Sequence, residues 1–347
     1  METTDSLQAV PDSTVLRVED LVKDFPVRSK TSASRSRDVL RALDGVSLEV
    51  NPGETLGVVG ESGCGKSTLA RIVLRLERAT SGDVYFRGEN LTTMPSRQLV
   101  DLRRYIQMVF QDPFASLDPR MTIGEIVREP LEIHKGLVPT GSEQEKSIEL
   151  LELVGLRRAD AQRHPHQFSG GQRQRIGIAR ALASEPELVI CDEPVSALDV
   201  SVQAQILNLL QRLQDELGVS YVFIAHDLSV VRQIADRVAV MYMGKIVETG
   251  LVDQVYENPL HPYTQSLLAA VPASPGRQRR FAGLGRLEGE VPSPINPPSG
   301  CRFRTRCWKA TQKCADEVPG LSAREHDHPS ACHYADPIVL AGEDSRR

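Results

Sequence analysis

The sequence predicts an α/β fold built on a mainly parallel sheet, and three observations carry that prediction. The first is the apolar run Leu56–Val59, which leads into Gly60-Glu61-Ser62-Gly63-Cys64-Gly65-Lys66-Ser67-Thr68 and then the helical segment Leu69–Leu74. Strand, glycine-rich loop and helix in that order are the setting of a phosphate-binding loop. The second is a pair of further apolar runs, Leu188–Cys191 and Tyr221–Ala225, which read as strands covered on both faces and which end in polar groups. The third is the alternation of such runs with helical periodicity, the signature of parallel strands joined through helices.

Composition sets the outer bounds. A chain of 347 residues holds one large domain or two ordinary ones. It is 40% hydrophobic and 25% charged, as expected of a globular protein, and its net charge of −5 gives no basic field for nucleic acid. No apolar run reaches the roughly 18 residues a membrane span needs. The start, Met1–Ser6, is polar and acidic rather than leader-like. Six cysteines in a reducing compartment point to thiols or metal ligands, not disulfides. The expectation is a cytosolic protein.

Taken in order, residues 1–13 read as a disordered tail. Thr14–Val18 and Leu21–Val27 read as two strands, Arg28–Asp38 as a mobile Ser/Arg-rich loop, and Leu40–Val50 as another strand. A hairpin follows from Ser81 to Gly88, a short charged helix over Arg97–Arg104, and a buried strand, Ile106–Phe110, that stops at Gln111 before a proline turn. Residues 122–160 carry helical periodicity and read as an insertion into the core. Helices over Arg173–Ala183 and Gln203–Leu217 flank the Leu188 strand, and Val238–Met243 with Lys245–Glu248 forms a last hairpin around Gly244.

The chemistry sits where these elements end. Loop amides between Gly60 and Thr68 can point inward at an anion, Lys66 can reach its β- and γ-phosphates, and the Ser67 hydroxyl can hold Mg²⁺. Asp192 and Glu193 place two carboxylates at the carboxyl edge of the sheet, where open α/β sheets bind ligands. Asp192 is positioned to hold Mg²⁺ through water, and Glu193 to orient and deprotonate an attacking water. His226, at the end of the Tyr221 strand, either donates to a phosphate or is structural. Phe25 either stacks on a planar base or belongs to the core. Ser169-Gly170-Gly171-Gln172 either lets a phosphate approach a helix N-terminus or is an ordinary capping box.

With Gly60–Ser67, Gln111, Ser169–Gln172, Leu188–Glu193, Ser196–Asp199 and His226 all present in this order, the chain resembles the ATP-binding subunit of ABC transporters over roughly residues 14–250. The resemblance implies an ABC-type P-loop NTPase core with an antiparallel β subdomain and a helical subdomain at about 112–180. It implies Phe25 as the adenine-stacking aromatic and Gln111 as the loop glutamine that senses Mg²⁺, water and a membrane partner. Ser169, Gly170, Gly171 and Gln172 become the signature that closes on ATP held by an opposite subunit, Asp199 the loop aspartate at that interface, and His226 the γ-phosphate switch. Gln111–Arg120 and Asn258–Thr264 are similar to the ATPases of dipeptide and oligopeptide importers, most nearly the second, F-type subunit; nickel and glutathione importers share these features. The implied assembly is this chain with a second, paralogous ATPase, two permeases and an extracytoplasmic binding protein, at the cytoplasmic face of the membrane. A soluble ABC ATPase of DNA repair or translation is the competing class.

Beyond residue 257 the composition changes. Eight of the 22 prolines fall between Pro259 and Pro298, which reads as a semi-rigid connector over 258–300. The extension 301–347 carries Cys301, Cys307, Cys314 and Cys332, spaced C-x5-C-x6-C-x17-C. Without a tight C-x2–4-C pair the spacing suits four-thiolate iron–sulfur ligation better than zinc, although zinc with histidine help (His326, His328 or His333) and unligated thiols remain alternatives. The tail also resembles that of peptide-importer ATPases, for which a [4Fe–4S] cluster is implied. Cys64 and Cys191 read as small buried residues, Cys64 with a possible sensitivity to oxidation.

Overall fold

The computed structural model describes residues 14–28, 37–112, 116–270, 289–323 and 328–336. Six strands form the central sheet in the order β10-β9-β3-β8-β7-β6: β3 (Thr55–Val59), β6 (Ile106–Val109), β7 (Leu188–Asp192), β8 (Ser220–Ala225), β9 (Arg237–Tyr242) and β10 (Lys245–Leu251). Neighbours are parallel except the terminal β9–β10 hairpin. This is the sheet the sequence predicts, and its strands need two covered faces because their side chains alternate between two cores. Val58, Ile190, Val222 and Ile224 enter one hydrophobic cluster, while Val59, Val189, Cys191 and Phe223 enter the other.

The first cluster is closed by α1 (Lys66–Val73) and by a four-stranded antiparallel sheet, β2-β1-β4-β5. In that sheet β1 (Leu16–Arg28) pairs with β2 (Arg37–Val50) and β4 (Ser81–Phe86), and β4 turns into β5 (Glu89–Asn90). The two strands expected at 14–27 are therefore one. The pattern breaks at Glu19-Asp20 because the ladder bulges there: the register shifts between Val18 and Leu21, and Asp20 has φ +45°. The expected loop over Arg28–Asp38 shortens likewise, since Arg28 and Val27 pair with Arg37 and Asp38; residues 29–36 lie outside the described residues. The expected tail, 1–13, lies outside them too.

Helices cover the second face. The helical stretch at 122–160 resolves into α3 (Ile123–Ile133), opened by a Thr122–Glu125 capping box, and α4 (Glu143–Leu153), with 3₁₀ turns before the next helix; α2 (Ser96–Leu102) precedes them. Behind them pack α5 (Gly170–Leu182), α6 (Val200–Leu217) and α7 (Leu228–Ile234). Among the described residues no helix is long and apolar enough to cross a membrane.

The carboxy-terminal part is folded onto this core. After α8 (Val252–Glu257), the start of the expected connector is a helix, α9 (Pro262–Ala270), because Pro262 takes the first helical position, where a missing N–H costs nothing. The connector's middle, 271–288, lies outside the described residues. Residues 329–331 run antiparallel along β10, with Thr249 N–H on Pro329 O and Ala331 N–H on Val247 O. Beside them the wholly buried Glu248 carboxylate accepts the Leu260 and His261 amides and lies 2.7 Å from His328 Nε2. A short helix, α10 (Gln312–Asp316), lies in the tail.

Candidate nucleotide site

The phosphate loop needs its glycines. A Cβ on Gly60 would sit 2.1 Å from Met241 O, and one on Gly65, at φ +113°, would sit 2.5 Å from Ala42 O. Gly65 thus turns the chain under β2 and caps α1. Lys66 is buried, its Nζ donating to Gly60 O at 2.7 Å and Glu61 O at 3.0 Å, so the ammonium is held inside the loop by carbonyls. Ser67 Oγ donates to Asp192 Oδ1 at 3.2 Å, which joins the start of α1 to the end of β7. Burial pushes the Asp192 carboxyl up and Glu193 adds to it, against the pull of the Ser67 hydrogen bond.

Glu193 follows in a left-handed conformation, φ +47°, costly for a side chain of its size. Its amide donates to Ile224 O at 2.9 Å across to β8. That turn brings three strand ends to one atom. Gln111 Nε2, beyond β6, donates to Glu193 Oε2 at 2.9 Å, and His226 Nδ1, beyond β8, lies 3.5 Å from the same oxygen. Phe25, paired with Leu40 across β1 and β2, Gly63–Thr68, Gln111 and Glu193 all line one cavity of about 310 Å³. Asp192 and Ser67 offer hard oxygens side by side, which fits Mg²⁺.

The other expected site residues lie outside this cavity's lining. Ser169 and Gln172 form the capping box: Ser169 Oγ accepts Gln172 N–H at 3.3 Å, and Ser169 N–H donates to Gln172 Oε1 at 3.0 Å. Gly171 is required by packing, since a Cβ there would meet Val202 Cγ1 at 2.3 Å; Gly170 faces Leu198 more loosely. Asp199 caps α6, accepting from Val202 N–H and Ser201 Oγ–H, and those bonds hold its carboxyl below the ordinary value.

The expected four-cysteine metal site is not supported. Among the described residues no group of three or more His, Cys, Asp or Glu is disposed to hold a metal. The fold does gather the thiols. Cys301 N–H donates to Cys314 O at 2.8 Å, and burial, reinforced by the neighbouring cysteines, pushes Cys307 and Cys332 up to about 11. Of the histidines considered as zinc ligands, His328 is tied to Glu248, His333 Nε2 lies 3.1 Å from Glu317 O, and His326 is outside the described residues. Cys64 and Cys191 are buried as expected.

Sequence reading missed the tail's part in the site. Val291, Pro292 and Pro294 line the cavity, Arg306 grips Glu61, and Tyr263 accepts the Glu61 amide. Nothing local marks these residues, because their partners lie some 200 residues away along the chain.

Residues 43–196 match the ABC transporter family, and residues 247–314 match the oligopeptide/dipeptide transporter C-terminal region. The chain is 50% identical over 330 residues to the oligopeptide transport ATP-binding protein AppF of Bacillus subtilis, covering 94% of this chain and 99% of that one. It is 52% identical over 325 residues to the oligopeptide transport ATP-binding protein OppF of Salmonella typhimurium, covering 93% and 97%. Among solved structures, the dimeric ATP-binding cassette MJ0796 bound to ADP and Pi superposes with a TM-score of 0.60 at 30% identity, over 68% of this chain and 98% of that one. With its phosphate loop, paired carboxylates and converging Gln111 and His226, the chain belongs to the ABC transporter ATPase family.

Proposed function

We propose that this chain is the ATP-hydrolysing subunit of a membrane importer of di- and oligopeptides, working at the cytoplasmic face of the membrane. The observation that carries the reading is the meeting of Gln111 and His226 on Glu193 Oε2, one residue from the Ser67–Asp192 contact and on the wall of the phosphate-loop cavity. ATP lies along the loop with Phe25 toward adenine, the amides of Ser62–Thr68 and Lys66 toward the phosphates. Ser67 and Asp192, with Gln111 nearby, would hold Mg²⁺, which when bound would supply neutralisation of phosphate charge. Glu193 takes a proton from water as the water oxygen bonds to the γ-phosphorus. The bond from that phosphorus to the bridging oxygen breaks, and its electron pair leaves on ADP. Gln111 orients the Glu193 carboxylate, and His226 donates to the γ-phosphate.

Ser169, Gly170, Gly171, Gln172 and Asp199 act across a dimer on ATP held by a second, paralogous ATPase. Support for that role comes from their lying away from the chain's own cavity. A second groove of about 300 Å³, lined by Met108, Phe110, Leu117, Pro130 and Ile133, with Phe110 and Ile133 exposed, is where the permeases dock. Peptide cargo and the extracytoplasmic binding protein are supported by the names of the relatives above. A [4Fe–4S] cluster on Cys301, Cys307, Cys314 and Cys332, with Zn²⁺ as the alternative, rests on the cysteine set and its gathering in the fold; no step of the reaction passes through it.

The test is genetic and biochemical together. The purified chain should hydrolyse ATP, and deleting its gene should abolish growth on a peptide as sole source of a required amino acid. Growth restored by the wild-type gene but not by a Lys66→Ala copy supports the reading. Unimpaired peptide uptake in the deletion strain removes peptide as the cargo.

A further inference from the structure

We infer that the carboxy-terminal segment 291–306 completes the nucleotide site: Val291, Pro292 and Pro294 form an apolar wall for the base, and Arg306 fixes that wall to the phosphate loop. The inference rests on the cavity being the ATP site and goes further, because it assigns base recognition to residues far outside the nucleotide-binding core.

The cavity has two chemically different linings. One is the loop from Glu61 to Thr68, whose amides and ammonium suit phosphate. The other is largely apolar, with Arg41 as its one charged member among the residues named, and is drawn from two distant parts of the chain: Phe25, Leu40 and Arg41 from the antiparallel sheet, and Val291, Pro292 and Pro294 from the tail. Apolar side chains offer nothing to phosphates. A planar heterocycle is the part of a nucleotide they fit. Val291 is 47% exposed, so its methyl groups stand open for a ligand to cover.

A wall on a loose tail would add little, since ordering it would offset the contact it makes. This wall is anchored. The Arg306 guanidinium forms a two-pronged ion pair with Glu61, at 2.7 and 3.0 Å, and its side chain is 5% exposed. The Tyr242 hydroxyl lies 3.4 Å from the same group, and Glu61 and Tyr242 together hold Arg306 firmly charged. Glu61 is itself fixed by its amide, which donates to the buried Tyr263 hydroxyl at 2.8 Å. Arg302 repeats the arrangement on Asp44 at 2.6 Å and on Met243 O, and Phe303 is buried between them against Tyr242 and Tyr263. The wall starts near this anchor: Arg306 Cγ lies 3.9 Å from where a Cβ on Gly289, two residues before Val291, would sit. Arg306 is therefore a positioning residue. It holds the wall on one side and the second residue of the phosphate loop on the other.

The experiment is calorimetric titration of the full-length chain with ATP and with GTP, in a Glu193→Gln background so that neither is consumed. Val291→Ala trims an exposed side chain, so folding is not at stake. It should raise the Kd for ATP roughly three- to tenfold, as expected for about one to two buried methyl groups lost, and raise that for GTP alike, because an apolar wall meets either purine face equally. In the hydrolysing protein the change should fall on KM more than on kcat. Arg306→Ala should weaken ATP binding as well, and combining it with Val291→Ala should add little, because the first change already frees the wall. ATP and GTP affinities in the Val291→Ala protein equal to the parent's would overturn the inference while leaving the ATP site standing. No binding by the parent protein would overturn both.

Discussion

Replacing Glu193 by glutamine separates the chemistry from everything else this side chain does. The substitution keeps shape, keeps the left-handed backbone at φ +47°, and leaves an amide oxygen where Gln111 Nε2 now donates at 2.9 Å. The structural stake is the weakening of that bond and of the His226 contact at 3.5 Å, about 1–3 kcal/mol at most. The catalytic stake is larger: a positioned general base contributes about 10²–10⁴-fold, or roughly 3–5 kcal/mol of barrier. The lost charge also stands beside Asp192, whose buried carboxyl Glu193 helps to push up. Removing it relieves repulsion toward the incoming phosphates, so ATP affinity should hold or rise. The assay pairs equilibrium ATP binding with single-turnover phosphate release on the same preparation. Turnover down by two orders of magnitude or more with binding intact is the expected result. Turnover within about tenfold of wild type, with ATP bound, would refute Glu193 as the base.

Three further outcomes follow from other parts of the molecule. Gly171→Ala places a methyl group 2.3 Å from Val202 Cγ1, and the α5–α6 contact must spread; urea unfolding should show a loss of about 1–3 kcal/mol. His261 is buried with Nδ1 accepting the Tyr263 amide, and burial pushes it down to about 3 despite an opposing backbone contact at Ala331. The unfolded chain takes up that proton near 6.5 and the folded chain does not, so stability falls as pH drops from about 6.5 toward 3, by up to about 1.4 kcal/mol per unit. The His261→Asn protein should lose that part of the slope between pH 7 and 5 in urea titrations. Iron and sulfide in equal amounts in anaerobically purified protein, with broad absorbance near 400 nm, would establish the proposed cluster; zinc without sulfide would assign the thiols to Zn²⁺, and neither metal would leave them as unligated thiols.

The parts legible in the sequence are those where chemistry fixes residue identity within a few positions. A loop that wraps phosphate must place glycines where Gly60 and Gly65 meet the backbone of β9 and β2, so it announces itself. Asp192 and Glu193 were legible because a buried strand tolerates two carboxylates only at its end. Ser169 was ambiguous for a physical reason: a cap and a phosphate-facing serine need the same hydroxyl at the same helix start, and within one chain the cap is what forms. In the tail, proline density reads as irregular chain, and local sequence does not show which prolines the fold uses. Pro262 opens a helix, and Pro292 and Pro294 line a cavity. The Arg306–Glu61 pair spans 245 positions and joins two residues that are unremarkable alone; only the folded chain makes them partners.

Whether ATP hydrolysis at Glu193 drives peptide across a membrane is decided by reconstitution. The chain would be assembled in proteoliposomes with the proposed partners (a second ATPase, two permeases and a binding protein), with labelled peptide and binding protein on the extracytoplasmic side and ATP on the cytoplasmic side. Peptide should accumulate with ATP, peptide-loaded binding protein should stimulate phosphate release, and the Glu193→Gln chain should lose both. Phosphate release indifferent to permeases and binding protein, with no accumulation of peptide, would contradict that coupling.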